Sequence, residues 1–204
     1  DTAVERFEAL LTAVESRTDD QSERLISAVL KLGQGAKDPS VRAAASDRAE
    51  ETLNRITDPA MRNEHAMLGL QYSPLGEAGW WAERLTETEP APDAYIVFEH
   101  LVDALATSTD DDTAAIASAV PAVIPHVPEN EVASAQHWIG VTLGKTAWST
   151  AAAPTAKNRA ALYATAAALR PRLTDQDAAT LDTVLAADLV NGLGISAEDA
   201  HVGE

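Results

Sequence analysis

The chain has 204 residues, 41 of them alanine, and its 32 acidic and 15 basic residues give a formal net charge of −17 at pH 7. A protein that binds nucleic acid by neutralising phosphates needs a basic surface, so this composition excludes that class. The lack of cysteine excludes disulfide scaffolds, thiolate zinc sites and cysteine nucleophiles. No apolar run approaches the roughly 18 residues of a membrane span. We expect a single domain over residues 1–204, because this length is typical of one domain.

The acidity of the chain has two interpretations. Evenly distributed carboxylates keep a surface hydrated and soluble, as in proteins from a salt-adapted source, and we favour this interpretation. The alternative is a negative surface that steers a basic partner toward the domain. No signal-peptide pattern follows Asp1, so we expect a cytoplasmic protein.

Apolar residues recur at helical spacing along the whole chain, whereas the alternation typical of strands is hard to find. An all-α fold of about ten helices, arranged as antiparallel helical hairpins, is therefore predicted. The third and fourth helices have clear starts, because Asp38–Pro39 and Asp58–Pro59 each supply a cap followed by proline at the first helical position. The predicted helices cover residues 2–17, 19 or 20 to 32, 38–56, 58–71, 77–87, 93–107, 109–124, 128–148, 155–170 and 175–190. A loop is predicted over 149–155, and at most one frayed turn over 191–204.

Two of these helices have special features. The sixth, over 93–107, is apolar around most of its circumference, so we expect it at the centre of the fold. The seventh contains Pro121, which predicts a kink because proline cannot donate the helical hydrogen bond.

Two segments of the chain resemble each other at an offset of 46 residues. Residues 109–143 placed over 155–189 align two predicted hairpins without gaps, with 7 identities in 35 positions. A second match, of 17–32 with 108–123, has an offset of 91, which is close to twice 46. A stack of two-helix units, each of which needs neighbours to bury its apolar face, explains such offsets. The identical pairs other than alanine are Thr109/Thr155, Pro125/Pro171 and Leu143/Leu189.

The segment that follows 17–32 reads DPSVRAAASDRAEETL, with a loop aspartate, a proline, and then Val-Arg and alanines on a helix. This pattern is similar to that of HEAT-type helical repeats, and the helix with Pro121 resembles the first helix of such a unit. The resemblance implies an α-solenoid that binds partners along a concave surface built from the second helices. A compact irregular helical bundle stays open as the alternative, because 57–107 has no good counterpart. The resemblance covers about 17–56, 109–149 and 155–191.

Two glutamate–histidine pairs, Glu64–His65 and Glu99–His100, are candidates for a metal site in a helical bundle. Adjacent residues point about 100° apart on a helix, so the two side chains of each pair do not converge. The spacing His-x-x-x-His is absent, and Glu-x-x-His occurs only in the last residues of the chain. We therefore interpret the histidines as ordinary helix residues and predict no metal and no cofactor.

The glycine motifs favour packing over phosphate binding. Gly144–Lys145–Thr146 lies within a predicted helix and lacks the glycine that a phosphate loop needs five positions earlier, where Ile139 stands. The spacing Gly140-x-x-x-Gly144 allows another helix to approach closely, and a ligand could use the same gap. No G-x-S-x-G motif occurs either, so we expect a protein that is not an enzyme.

Large rings are scarce in this chain and are the best indication of a binding surface. Trp80 and Trp81 are adjacent and cannot both point into one core from one helix face. One of them is therefore expected at an interface, a groove or a loop edge. Rings in an alanine-rich core otherwise fill space that alanine leaves empty. The candidate binding residues are Trp80, Trp81, Tyr95, His100, His137 and Trp138.

Three functions remain open, and we favour the first. The chain is a non-enzymatic helical domain that binds a protein or peptide partner, for which a basic character would suit the acidic surface. Alternatively, it binds a small molecule in a pocket between the fifth, sixth and eighth helices. The third hypothesis is a metal-dependent enzyme that uses the two glutamate–histidine pairs. A homodimer is a further expectation, since alanine-rich helices bury little apolar area per residue.

Overall fold

The fold was analysed in a computed structural model, which describes residues 2–17, 22–56, 58–86, 91, 93–148 and 155–192. These residues form ten α-helices and four short 3-10 helices and contain no strand, which confirms the predicted all-α fold. None of the described helices combines the length and the apolar character that crossing a membrane requires. The α-helices are α1 (Ala3–Glu15), α2 (Ser22–Gln34), α3 (Pro39–Leu53), α4 (Pro59–Tyr72), α5 (Ala78–Ala82), α6 (Ala94–Thr107), α7 (Asp110–Val123), α8 (Val132–Trp148), α9 (Ala156–Leu169) and α10 (Asp175–Gly192).

The helices begin where the sequence supplies capping side chains. Asp38 accepts a hydrogen bond from the backbone N–H of Ser40, and Asp58 accepts one from Met61, so both predicted starts are confirmed. Thr2 and Glu5 form a reciprocal capping box at the start of α1. These contacts satisfy backbone N–H groups that have no partner within the helix.

The largest boundary error concerns the fifth helix, which was predicted over 77–87. The structure has a 3-10 turn at Leu75–Glu77 and only five helical residues in α5. Similar 3-10 turns at Ile124–His126 and Arg170–Arg172 close α7 and α9, and each contains a proline. The predicted loop over 149–155 lies outside the described residues except for its last position. The predicted tail lies outside them from residue 193 onward.

The helices pack in two regions. In the N-terminal region, α1, α2 and α3 contact one another, and α4 contacts both α2 and α3. In the C-terminal region, α5, α7 and α9 follow one another in one row, and α6, α8 and α10 follow one another in a second row. Helix α6 also contacts α4, α7 and α9, so it joins the two rows to the N-terminal region.

The core confirms the central position predicted for the sixth helix. Six apolar side chains of α6 have no exposed surface, whereas Ile96 is 47% exposed. Burial of this kind contributes about 25 cal/mol for each Å² of apolar surface removed from water. The fully buried residues of α6 are Ala94, Val97, Phe98, Leu101, Val102 and Leu105.

The two C-terminal hairpins have the same internal layout. Shifted by 46 residues, the bounds of α7 coincide with those of α9, and the 3-10 turn at Ile124–His126 coincides with the turn at Arg170–Arg172. The buried residues Ile116 and Val123 fall on Leu162 and Leu169, which are also buried. The described helices show nothing specific to HEAT repeats, so that resemblance stays a prediction.

Polar contacts join the two hairpins at both ends. Asn158, which is 1% exposed, accepts hydrogen bonds from the hydroxyls of Thr113 and Thr155 at 3.2 and 2.6 Å and donates to the carbonyl of Ser108 at 3.3 Å. At the opposite end, Arg172 donates to the carbonyl of Ile124 and forms an ion pair with Glu129 at 2.9 Å. These contacts fix α9 against α7 and thereby position the surface of α10.

Candidate functional site

The adjacent tryptophans divide between core and surface. Trp81 has no exposed surface, and its ring fills the space above Gly69. Trp80 is partly buried and meets Trp81 edge to face, with ring centroids 4.7 Å apart. The guanidinium of Arg84 lies 3.2 Å from the centroid of the Trp80 ring. Trp80 is thus the member of the pair at the surface, and a cation–π contact already covers one of its faces.

The other candidate binding residues are dispersed over the surface of α6 and α8. Tyr95 and Trp138 are partly buried against the core, and the hydroxyl of Tyr95 donates to Glu99 at 2.7 Å. Burial, reinforced by that carboxylate, raises the pKa of Tyr95. His100 and His137 are exposed, and partial desolvation lowers the pKa of His100.

The pocket hypothesis for these residues needs α5, α6 and α8 to enclose a common space. In the structure, α5 packs on α4 and α7, while α8 packs on α6, α9 and α10. Of the residues expected to line that pocket, Trp80, Tyr95 and Trp138 are partly buried against the hydrophobic core.

The glutamate–histidine pairs do not assemble a metal centre. His65 is 2% exposed and its Nδ1 lies 3.0 Å from the carbonyl oxygen of Met61, whereas Glu64 points to solvent. Within the part of the chain that the structure describes, no three His, Asp or Glu side chains are placed to hold a metal ion.

A cleft between α8, α9 and α10 is the largest concave feature that we describe. Its volume is about 580 Å³, which lies within the range of roughly 300–1,000 Å³ typical of ligand sites. Glycines of α8 form its floor, and aliphatic side chains form its walls. The residues that line this C-terminal cleft are Gly140, Leu143, Gly144, Arg159, Val184, Ala187, Asp188 and Asn191.

The glycines of the sequence motif lie in this cleft and differ in their surroundings. A Cβ atom added at Gly140 would lie 3.5 Å from Val184, so α10 packs over this position as the motif predicts. A Cβ atom at Gly144 would meet nothing within 4 Å, so here the gap is open. The sequence motif therefore indicated both a helix contact and a gap. In the structure the helix contact is at Gly140 and the gap is at Gly144.

A charged network closes one side of the cleft. Asp188 is 8% exposed and accepts hydrogen bonds from Arg159 at 2.9 Å and from the hydroxyl of Tyr163 at 2.5 Å. Burial, followed by the contact with Asp188, raises the pKa of Tyr163. Arg159 forms an ion pair with Asp188 and also lies close enough to Tyr163 to oppose the rise in the pKa of that hydroxyl. Asp188 is satisfied on both oxygens and is therefore suited to holding Arg159 rather than to acting as a base.

The side of α10 that faces away from the core carries a second feature, an exposed row that we call the outer face of α10. Leu189 is 50% exposed and Val190 is 41% exposed, which places them among the few large apolar side chains at the surface. From Asp175 to Leu189 the row has the 4-3-4-3 spacing at which side chains line one side of a helix, and Val190 flanks its last member. The outer face consists of Asp175, Ala179, Asp182, Ala186, Leu189 and Val190, all exposed.

A smaller cavity of about 260 Å³ lies in the N-terminal region, where α1, α3 and α4 meet near Ile26 of α2. Its walls combine the apolar side chains of Ile26, Ile56 and Met61 with the edge of the buried His65. The volume lies below the usual range for ligand sites, so the C-terminal cleft is the better candidate.

Sequence reasoning missed Arg159, Tyr163 and Asp188. One signal could have found Asp188, because it continues the buried stripe of α10 that contains Ala178 and Leu181 at helical spacing. A carboxylate on a buried stripe needs a partner, and Arg159 and Tyr163 are four residues apart on the preceding helix. What the sequence does not contain is the angle at which α9 and α10 separate to leave a cleft.

Comparison with models of protein families, with curated proteins and with solved structures yields no match to this chain. What the domain does must therefore be inferred from the geometry of the described residues.

Proposed function

We propose that this protein is a non-enzymatic helical domain that binds a protein or peptide partner on the outer face of α10. One observation carries the proposal: Leu189 is 50% exposed, although its counterpart Leu143, 46 residues earlier, is 2% exposed. Leu143 lies on α8, on which both α9 and α10 pack. The described residues supply no helix that would cover Leu189 in the same way.

The composition supports a partner with basic groups. With a formal net charge of −17, the domain attracts cations and raises the rate at which a basic partner reaches it. The proposed setting is the cytoplasm, with which an acidic chain without cysteine is compatible.

A photo-reactive amino acid placed at position 189 tests this proposal in the cells that produce the protein. We expect a discrete crosslinked adduct at position 189 and none at position 32, where Leu32 is 72% exposed on α2 and serves as the matched control. A Val190→Lys substitution, which places a positive charge beside Leu189 and repels a basic partner, should remove the adduct at 189. Adducts of equal yield at both positions would show nonspecific collision and would overturn the proposal.

The C-terminal cleft supports a second function, the binding of a small molecule. Its aliphatic lining suits an apolar body, and the guanidinium of Arg159, which also lines the cleft, suits an oxygen acceptor at one end of the ligand. This site differs from the predicted pocket between the fifth, sixth and eighth helices, but the proposed ligand is again a small molecule.

A cavity-filling variant tests the second function. Gly144→Leu places a side chain in open space, so we expect the variant to fold and to lose the cleft. A compound from a metabolite library that binds the cleft should raise the Tm of the unsubstituted protein and leave that of Gly144→Leu unchanged. Equal shifts in both proteins would place the compound elsewhere.

A further inference from the structure

We infer that the outer face of α10 receives a basic amphipathic α-helix, which packs on α10 in the way that α10 packs on α8. The inference rests on the proposed binding function and adds the kind of partner and its orientation. Three features of α10 support it: its outer face corresponds to a face of α8, its shape fits a helix, and its charged residues are all acidic.

The first step is the equivalence between α8 and α10. Shifting by 46 residues places Gly140 on Ala186, Leu143 on Leu189 and Gly144 on Val190. On α8 a helix covers part of this face, since Val184 of α10 lies over Gly140, whereas Gly144 stays open. On α10 the three equivalent positions are exposed. The packing of α10 on α8 is therefore an example, within this chain, of a helix on the corresponding face.

The second step is the shape of the free face. Small side chains at Ala179 and Ala186 allow a partner backbone to come close, and Leu189 supplies the larger apolar contact. The 4-3-4-3 spacing runs parallel to the axis of α10, so a rod of similar length fits it. A helix presents apolar residues at the same spacing, whereas an extended strand does not.

The third step is the charge along α10. All its charged residues are aspartates, with no lysine or arginine between 175 and 192. Asp182 and Asp188 are neutralised by Arg170 and Arg159, but no described residue donates a hydrogen bond to the exposed Asp175. We therefore expect a basic group opposite the N-terminal end of α10 and an apolar anchor opposite Leu189. A second copy also carries a net charge of −17 over its whole chain, so electrostatic repulsion disfavours self-association at this face.

Two synthetic 18-residue helices serve as probes. Both carry the inward stripe of α10, which consists of the buried Ala178 and Leu181 and the partly buried Val184 and Leu185. They differ only in having lysine or glutamate at the outward positions. Fluorescence anisotropy with the full chain should give a Kd at least about tenfold lower for the lysine peptide. Equal affinity, or stronger binding of the glutamate peptide, would overturn the basic character of the partner.

Substitutions at two exposed leucines separate docking from general electrostatic attraction. Leu189→Asn should weaken binding of the lysine peptide about tenfold, whereas Leu32→Asn on α2 should leave it unchanged. Neither substitution alters a charge, so a purely electrostatic association would survive both and would overturn the inference. Circular dichroism confirms that both variants remain helical.

The remaining occupants give distinct results. Sedimentation that shows a dimer in the unsubstituted chain and a monomer in Leu189→Asn would assign the face to self-association. Peptide binding that appears only in a variant ending at residue 192 would assign it to residues 193–204. Either result overturns the helix inference. An adduct at position 189 without any peptide binding overturns the inference of a helical partner and retains the proposed binding function. If neither the adduct nor peptide binding is observed, the helical partner and the binding function are both overturned.

Discussion

At the scale of single residues, Gly69 shows how one missing side chain sets the position of a tryptophan. Gly69 lies on α4, and the ring of Trp81 occupies the place that its Cβ atom would take. The smallest residue and the largest therefore form one complementary pair in the core. An alanine at this position has to displace a fully buried ring or separate α4 from α5.

We expect Gly69→Ala to lower the free energy of unfolding by about 3 kcal/mol, because overpacking a closed core forces side chains and backbone to shift. Gly144→Ala is the matched control on another helix, where the added methyl group meets open space. That substitution should raise the free energy of unfolding by about 0.5–1 kcal/mol, since alanine restricts the unfolded chain and favours the helix. Urea denaturation of the two variants measures both effects, and a stable Gly69→Ala would contradict the placement of Trp81.

Glu77 is the residue whose environment gives stability a pH dependence. Burial raises the pKa of its carboxyl above 4.5, with Glu50 and Asp47 adding to the shift and the nearby indole N–H of Trp81 opposing it. One carboxylate oxygen is buried without a hydrogen-bond partner among the described residues. The folded state therefore binds more protons than the unfolded chain above pH 4.5, and this group contributes less stability as the pH rises through that window.

Glu77→Gln removes this titration at nearly constant shape. We expect the variant to have a higher Tm than the unsubstituted protein at pH 7, with the difference shrinking toward pH 4.5 and below. Glu83→Gln, which changes the net charge equally at an exposed position two turns away, should show no such pH dependence. A Tm difference for Glu77→Gln that stays constant from pH 4 to pH 7 would rule out the buried carboxyl as its source.

At the scale of helices, two Arg–Asp pairs connect α10 to the chain that precedes it, and they differ mainly in burial. The side chains of Arg159 and Asp188 are 24% and 9% exposed, and those of Arg170 and Asp182 are 56% and 49% exposed. Water screens the second pair and leaves it little net energy. Removing one partner of the first pair leaves an unpaired charge beside the cleft.

Asp188→Ala should therefore lower the free energy of unfolding by about 2–3 kcal/mol, less than for a fully enclosed pair because Arg159 reaches solvent. Asp182→Ala changes the net charge by the same amount and should leave the Tm nearly unchanged. Thermal unfolding at one pH and one salt concentration compares the two. If both variants lose the same stability, net charge rather than the buried pair decides the result.

The helices themselves were predictable from the sequence, because local signals determine them. Asp38, Asp58 and Thr155 act as caps within a few residues of the helices that they start. The sixth helix was placed at the centre because its own composition requires burial. The short α5 was overestimated, since 83–86 carry no strong break and only tertiary packing decides where the helix ends.

The site was much less predictable because it depends on which helix faces meet. Gly140-x-x-x-Gly144 indicated a gap, but nothing local shows that Val184 closes one end and leaves the other open. Similarly, the pair Trp80–Trp81 predicted one ring at the surface, and only the position of Gly69 decides which of them is buried. The partner of Asp188 comes from a separate helix, 29 residues earlier in the chain.

At the scale of the whole molecule, two electrostatic effects oppose each other. Ion pairs such as those of Arg48, at 2.6 Å from Glu15 and 3.0 Å from Glu51, attract across and along the N-terminal helices. The excess of 17 negative charges repels over the whole surface and favours the expanded, unfolded chain. Most ion pairs between described residues include a side chain that is at least half exposed, so they contribute little, and the repulsion is the larger effect.

We therefore expect sodium chloride to stabilise the fold, with the Tm at pH 7 rising between ~0.02 and ~0.5 M as the screening length falls below the spacing of surface charges. A variant with amides at the exposed Asp47, Glu64 and Glu83 should start from a higher Tm at low salt and rise less, because it carries three fewer negative charges. Differential scanning calorimetry of both proteins over the salt series measures the slopes. A Tm that falls with salt would mean that the ion pairs outweigh the repulsion, and equal slopes would assign the rise to a general effect of salt on apolar surface.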